Sequence, residues 1–173
     1  ILSGRDVLAV MPTGAGKSVC YQISAMLLPG ITVVISPLIS LMKDQVEALW
    51  QAGVPAAYVN SSISSEQFYE TMQMTQQGQY KILYVAPERL MTESFLRLAQ
   101  RVSISMVTVD EAHCVSQWGQ DFRQSYLDIP SFVEQLPRRP ICSAFTATAT
   151  AQVEQDIVQM LKLEAPEMLK TGF

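Results

Sequence analysis

Cysteine is scarce in this chain of 173 residues, and what there is does not pair. Cys20, Cys114 and Cys142 are odd in number and lack C-x-x-C spacing, which argues against both a disulfide framework and a zinc site. They read as small apolar packing residues in a reducing, cytoplasmic setting. Long hydrophobic runs are missing too: none approaches the ~18 residues of a membrane span, and no basic-apolar-small leader of the secretory kind opens the sequence. Positive charge is in deficit, with 12 Lys and Arg against 16 Asp and Glu and a net charge of -4. Such a balance excludes gripping nucleic acid by bulk electrostatics, so any such contact is local or shared with another part of a larger protein. Repeats, low-complexity tracts and linkers are absent. What remains is 49% hydrophobic and 16% charged, the composition of one ordinary globular α/β domain.

Within that domain Val7–Ser18, VLAVMPTGAGKS, is the most specific stretch. The apolar run Val7–Met11 has the length and branching of a buried parallel strand, ended by Pro12 and Thr13. Gly14 and Gly16 lack side chains, so backbone N–H groups can close around phosphates. Lys17 can then reach the β/γ oxygens, and the Ser18 hydroxyl can take a Mg²⁺ position. Met11, Pro12, Thr13, Gly14, Ala15, Gly16, Lys17 and Ser18 are therefore the candidate nucleotide-binding residues, although the strict pattern has glycine where Met11 stands. Val19, Ile23, Met26 and Leu27 follow at helical spacing, which places the positive end of a helix dipole at the anion. A second strand, Ile104–Val109, delivers Asp110-Glu111-Ala112-His113 at its carboxyl end, where open α/β sheets bind ligands. Adjacent carboxylates there call for a cation: Asp110 for Mg²⁺, with Glu111 free to orient and deprotonate water. His113, the only histidine, reads as a hydrogen-bonding link to the next motif.

Strand and helix signals alternate along the whole chain. Strands are expected at Val7–Met11, Ile31–Ser36, Ala56–Val59, Lys81–Ala86, Ile104–Val109 and Pro140–Phe145, with Glu167–Thr171 the weakest. Leu38, Met42, Val46, Leu49 and Trp50 fall on one face of a helix stopped by Gly53. Ser64 with Gln67 has capping-box spacing for a helix ending by Gly78, and Thr150 stands at an N-cap before Val153, Ile157, Met160 and Leu161. The alternation predicts a mostly parallel sheet covered on both faces. Ile1–Asp6 reads as the tail of an earlier helix, and Thr171-Gly172-Phe173 stops just after a strand-like segment. Both ends are thus expected to be cut from a longer chain.

With those motifs in place the sequence resembles the RecQ-type DNA helicases, over essentially its whole length and only in their first RecA-like, P-loop motor lobe. MPTGAGKS resembles that family's first motif, SPLISLMKDQ at Ser36–Gln45 its motif Ia, and APERL at Ala86–Leu90 a DNA-side motif. DEAH at Asp110–His113 and SAFTATAT at Ser143–Thr150 resemble motifs II and III. CVSQWGQDFR at Cys114–Arg123 resembles the aromatic-rich loop that sets RecQ proteins apart. Trp118 and Phe122 lie in a segment without helical or strand period, so stacking on unpaired bases is open to them, with Arg123 beside them for phosphate. Packing back onto the sheet edge is the other option. At motif Ia the helix N-terminus suits a DNA phosphate, and Lys43 either adds charge there or is merely solvated. Thr146 and Thr148 either couple the DEAH segment to the strand track or bond only backbone. Two positions depart from the family: Gln120 replaces a histidine, removing a chargeable group, and Gln124 replaces a proline.

The resemblance implies ATP and Mg²⁺ as cofactors and 3′ to 5′ unwinding of duplex DNA bearing a 3′ single-stranded tail. It implies as partner a second RecA-like lobe carrying an arginine finger, then zinc-binding and winged-helix regions, and a cytoplasmic, nucleoid-associated, bacterial setting. Lys17 and Glu111 are then the catalytic pair, Ser18 and Asp110 the metal residues, and His113, Trp118, Phe122, Arg123, Thr146 and Thr148 the DNA-sensing set. Two readings of other classes are a non-catalytic nucleotide-binding scaffold, against which intact Lys17, Asp110 and Glu111 weigh, and an RNA-directed remodeller, against which the aromatic loop weighs.

Overall fold

Short runs rich in Val, Ile, Ala and Tyr, too short for buried helices, become seven strands in a computed structural model that describes residues 1–172. Phe173, part of the expected cut end, lies outside the described residues. The strands are β1 (Val7–Val10), β2 (Ile31–Ile35), β3 (Ala56–Val59), β4 (Ile82–Val85), β5 (Ile104–Val109), β6 (Ile141–Thr146) and β7 (Glu167–Lys170). Every pairing is parallel, in the order β3-β4-β2-β5-β6-β1-β7. Between them run α1 (Lys17–Leu27), α2 (Ile39–Gln51), α3 (Ser65–Gln76), α4 (Glu93–Ala99), α5 (Ile129–Glu134) and α6 (Ala151–Met160).

All seven expected strands form, with ends moved by a residue. Met11, Ser36 and Ala86 leave the strands yet still donate their N–H groups to Thr146, Val85 and Val59 carbonyls. Pro140, which has no N–H, precedes β6 rather than joining it. A parallel sheet needs cover on both faces, and the core divides accordingly. One face buries Val7, Ala9 and Val34 under Tyr21 and Ala25 of α1 and Met42, Val46 and Leu49 of α2. On the opposite face Leu8, Val33 and Val107 pack with Phe68 of α3, Phe95 of α4, Phe132 of α5 and Ile157 of α6. Ser64 closes a full capping box with Gln67, and the Thr150 side chain accepts from the Val153 N–H, as their spacing predicts.

Helix faces are where periodicity misleads. Val19, Ile23, Met26 and Leu27 form a stripe that is half or more exposed, and α1 instead buries Tyr21, Ser24 and Ala25. The loop before α1 dictates this orientation: small Ser24 and Ala25 let the helix lie close to the sheet, and Tyr21 meets Tyr84 and Phe145 edge-on. Trp50 is exposed as well, turned out of the α2 face so that its indole N–H reaches the Ala56 carbonyl at 2.7 Å. Met160 is also exposed, at the end of the α6 face. β7 is an edge strand with all four residues exposed.

Candidate nucleotide site at the carboxyl edge of the sheet

The loop after β1 and the turn after β5 open onto the same edge of the sheet, β6 lying between their strands. Gly14 and Gly16 both take positive φ, 82° and 84°, a region that costs a side chain energy. Gly16 is also the N-cap of α1 and no side chain caps it, so the first N–H groups of that helix face the loop. The Lys17 ammonium donates to the Met11 carbonyl at 3.1 Å, folding back across its own loop. Met11 explains why glycine is dispensable there: its side chain is buried in the core and only its carbonyl reaches the site. Pro12, Thr13 and Ala15 complete the turn, with the Ala15 N–H donating to the Pro12 carbonyl at 3.0 Å.

Asp110 is fixed by its N–H to the Ile35 carbonyl, while its carboxylate accepts from the Glu111 N–H at 3.0 Å. Burial pushes its carboxyl up to about 6, Glu111 adding to the rise; the Glu111 N–H and the Lys17 charge work against it. No ion pair forms with the Asp110 carboxylate among the described residues. A carboxylate so desolvated suits a metal cation better than water. Glu111 sits at φ 50°, a left-handed strain for a residue with a side chain, held where the chain must turn sharply out of β5. Thr13, Lys17, Ser18, Asp110 and Glu111 line one cleft of about 370 Å³. Its donor set, a lysine, a serine hydroxyl, two carboxylates and glycine-flanked N–H groups, fits a magnesium-bound triphosphate.

His113 touches both halves of the site. Its Nδ1 stands 2.8 Å from the Thr146 hydroxyl and 3.5 Å from a Glu111 carboxylate oxygen. The Thr146 hydroxyl also lies 3.2 Å from the Thr148 carbonyl, so this one side chain bridges the His113 ring and the backbone at Thr148. Motif spacing therefore finds a physical chain from Glu111 through His113 to Thr146 and Thr148. Trp118 stands apart, 77% exposed, over a neighbouring hollow of about 250 Å³ shared with His113, Gln120 and Thr148. Phe122 is half-buried. Arg123 is engaged by Asp121 at 3.1 Å, so its charge is partly neutralised within the loop. Lys43 pairs loosely with Glu47 at 3.8 Å on the α2 surface.

Sequence reasoning missed Tyr126, a fully buried ring whose hydroxyl donates to the Asp110 carbonyl at 2.7 Å. It also missed Gln22 of α1, whose amide donates to Gln45 of α2 at 3.0 Å and to the Tyr84 hydroxyl at 2.9 Å on the cleft wall. Neither carries a motif, and both contacts close over long stretches of chain.

The sequence profile of the DEAD/DEAH box helicases matches residues 1–157. The chain belongs to that family. Among helicase relatives, "ATP-dependent DNA helicase RecQ" of Bacillus subtilis is 48% identical over 169 residues, covering 98% of this chain and 29% of the relative. The protein of the same description from Pasteurella multocida is 47% identical over 172 residues, covering 99% of this chain and 27% of its own. This helicase chain thus spans less than a third of the length of those relatives. The helicase domain of Pyrococcus furiosus Hef shares its fold at TM-score 0.72 and 18% identity, over 96% of this chain and 35% of that one. A hypothetical ATP-dependent RNA helicase from Sulfolobus tokodaii does so at TM-score 0.73 and 21% identity, over 98% and 49%. At such identity the likeness speaks to the RecA-like fold alone.

Proposed function

We propose that residues 1–173 form a single RecA-like unit, the ATP-binding motor lobe of a RecQ-type 3′ to 5′ DNA helicase. The observation that carries this reading is the continuous chain from the phosphate loop through Asp110 and Glu111 to His113 and Thr146, ending beside an exposed Trp118. The loop N–H groups and Lys17 hold the triphosphate, and Ser18 and Asp110 hold Mg²⁺. Mg²⁺ held by Ser18 and Asp110 would supply positive charge that offsets the charge on the phosphate oxygens. Glu111 orients a water molecule and accepts its proton, while the His113 ring, 3.5 Å from the Glu111 carboxylate, limits where that carboxylate can swing. Trp118 and Phe122 offer faces to unpaired bases, with Arg123 beside them for the backbone. The transition-state arginine comes from a second lobe of the same parent, and the parent works in the cytoplasm on the nucleoid.

The test is ATP hydrolysis by the complete parent protein with no nucleic acid, with single-stranded DNA and with single-stranded RNA. Strong stimulation by DNA and little by RNA is the expected result. Absence of hydrolysis under all three conditions returns the chain to a nucleotide-binding scaffold, and equal stimulation by RNA makes it an RNA remodeller.

A further inference from the structure

The segment 116–123 has no regular secondary structure apart from turns, yet it must hold Trp118 at a fixed place beside His113. Its two ends are tied by the Arg123 N–H to the Cys114 carbonyl at 2.8 Å. Its middle is tied by one side chain, the fully buried Ser116, whose hydroxyl accepts from the Trp118 N–H at 3.1 Å. That hydroxyl has a single proton, and it goes to the Asp156 carboxylate of α6 at 2.5 Å. The other Asp156 oxygen accepts from Gln152 one turn earlier at 3.0 Å. The loop also presses on the DEAH segment directly: a Cβ at Gly119 would stand 2.6 Å from the His113 carbonyl oxygen, so only glycine allows this approach.

These contacts close a ring. From His113 it runs to Thr146, along the chain through Thr148 into α6, from Asp156 to Ser116, and back through the short turn Ala112–Val115 to His113. This charge-assisted bond is the shortest side-chain hydrogen bond of the loop and the only one from 116–123 to α6 among the described residues. We propose that Asp156 is a positioning residue for DNA-coupled ATP hydrolysis: through Ser116 it holds the Trp118 loop against motif III and His113, so that strand engagement at the loop is felt at Glu111. This rests on the reading of Trp118 as the strand sensor.

The experiment compares Asp156→Ala, Asp156→Asn and Trp118→Ala in the complete parent protein, measuring kcat with and without saturating single-stranded DNA, together with melting temperature. Asp156→Ala should keep basal turnover within about twofold and lose tenfold or more of the DNA stimulation. Asp156→Asn, which retains an oxygen to accept the Ser116 proton, should keep most of that stimulation. Should Asp156→Ala fail to fold, Ser116→Ala removes the same bond from the other side and is held to the same expectation. If Trp118→Ala abolishes stimulation while Asp156→Ala leaves it intact, the positioning role is overturned and the sensor survives. If Trp118→Ala itself leaves stimulation intact, the sensor reading falls and this proposal with it. Equal loss of basal and stimulated turnover in both Asp156 variants would reduce the residue to ordinary structure.

Discussion

Within the cleft, Lys17 and Glu111 differ in what their loss should remove. Lys17 is the one ammonium lining the cleft, so Lys17→Ala in the parent should weaken ATP binding strongly, by tenfold or more in Kd from equilibrium titration of a fluorescent analogue. Among the described residues the Glu111 carboxylate pairs with His113 alone, so Glu111→Gln should keep nucleotide binding and lose about 10²-fold or more in kcat. The aromatic pair divides in the same way. Trp118 is 77% exposed, so truncation to alanine should leave the melting temperature almost unchanged. Phe122 is half-buried, and Phe122→Ala should cost about 1–3 kcal/mol, visible as a drop of several degrees in a calorimetric scan. Position along the loop could not separate these two rings, because a segment without period has no inside and outside until it is docked.

Between elements, the tightest polar junction is far from the nucleotide. Asp6, just before β1 and 3% exposed, accepts from Arg139 at 2.6 and 3.1 Å, from the Cys142 N–H at 3.0 Å and from the Glu164 N–H at 2.8 Å. Burial alone would raise its pKa, but the Arg139 bond and the two backbone donors outweigh it and the carboxyl lies below its ordinary value. A lowered folded pKa stabilises the fold above the ordinary carboxylate range, and that stability is lost as pH falls through the folded value. Asp6→Asn should therefore cost about 1–3 kcal/mol at neutral pH, the lower end favoured by the part-exposed Arg139. In urea melts the difference from the parent sequence should narrow below about pH 4. Nothing in Gly4-Arg5-Asp6 announces this role; the carboxylate gathers its partners from three later segments. By contrast the caps at Ser64 and Thr150 could be read directly, since a cap and the N–H that donates to it lie three residues apart.

For the molecule as a whole, net charge and the share of its relatives' length that it spans set the expectation. At net charge -4 the isolated 173-residue lobe should bind single-stranded DNA weakly at physiological salt, measured by anisotropy. It should fold, bind ATP and hydrolyse it slowly, because an arginine supplied from a facing lobe is typically worth ~10³–10⁵ in rate. Efficient unwinding by this lobe alone would contradict the assignment of the work to two lobes.

Features set by neighbours in the chain were determined by the sequence itself: strands from short branched runs, the phosphate loop from its glycines and lysine, the paired carboxylates at the end of β5. Local backbone sterics and periodicity act within a few residues, so spacing suffices to reveal them. Which face of α1 lies inward was decided only by tertiary structure, because its apolar stripe competes with a smaller face that fits the sheet more closely. The same holds for the bond between His113 and Thr146, the hold of Tyr126 on Asp110 and the bond from Ser116 to Asp156. Each joins atoms 16 to 40 residues apart in the chain, and only the packing of the parallel sheet with its helices brings such groups within hydrogen-bonding distance.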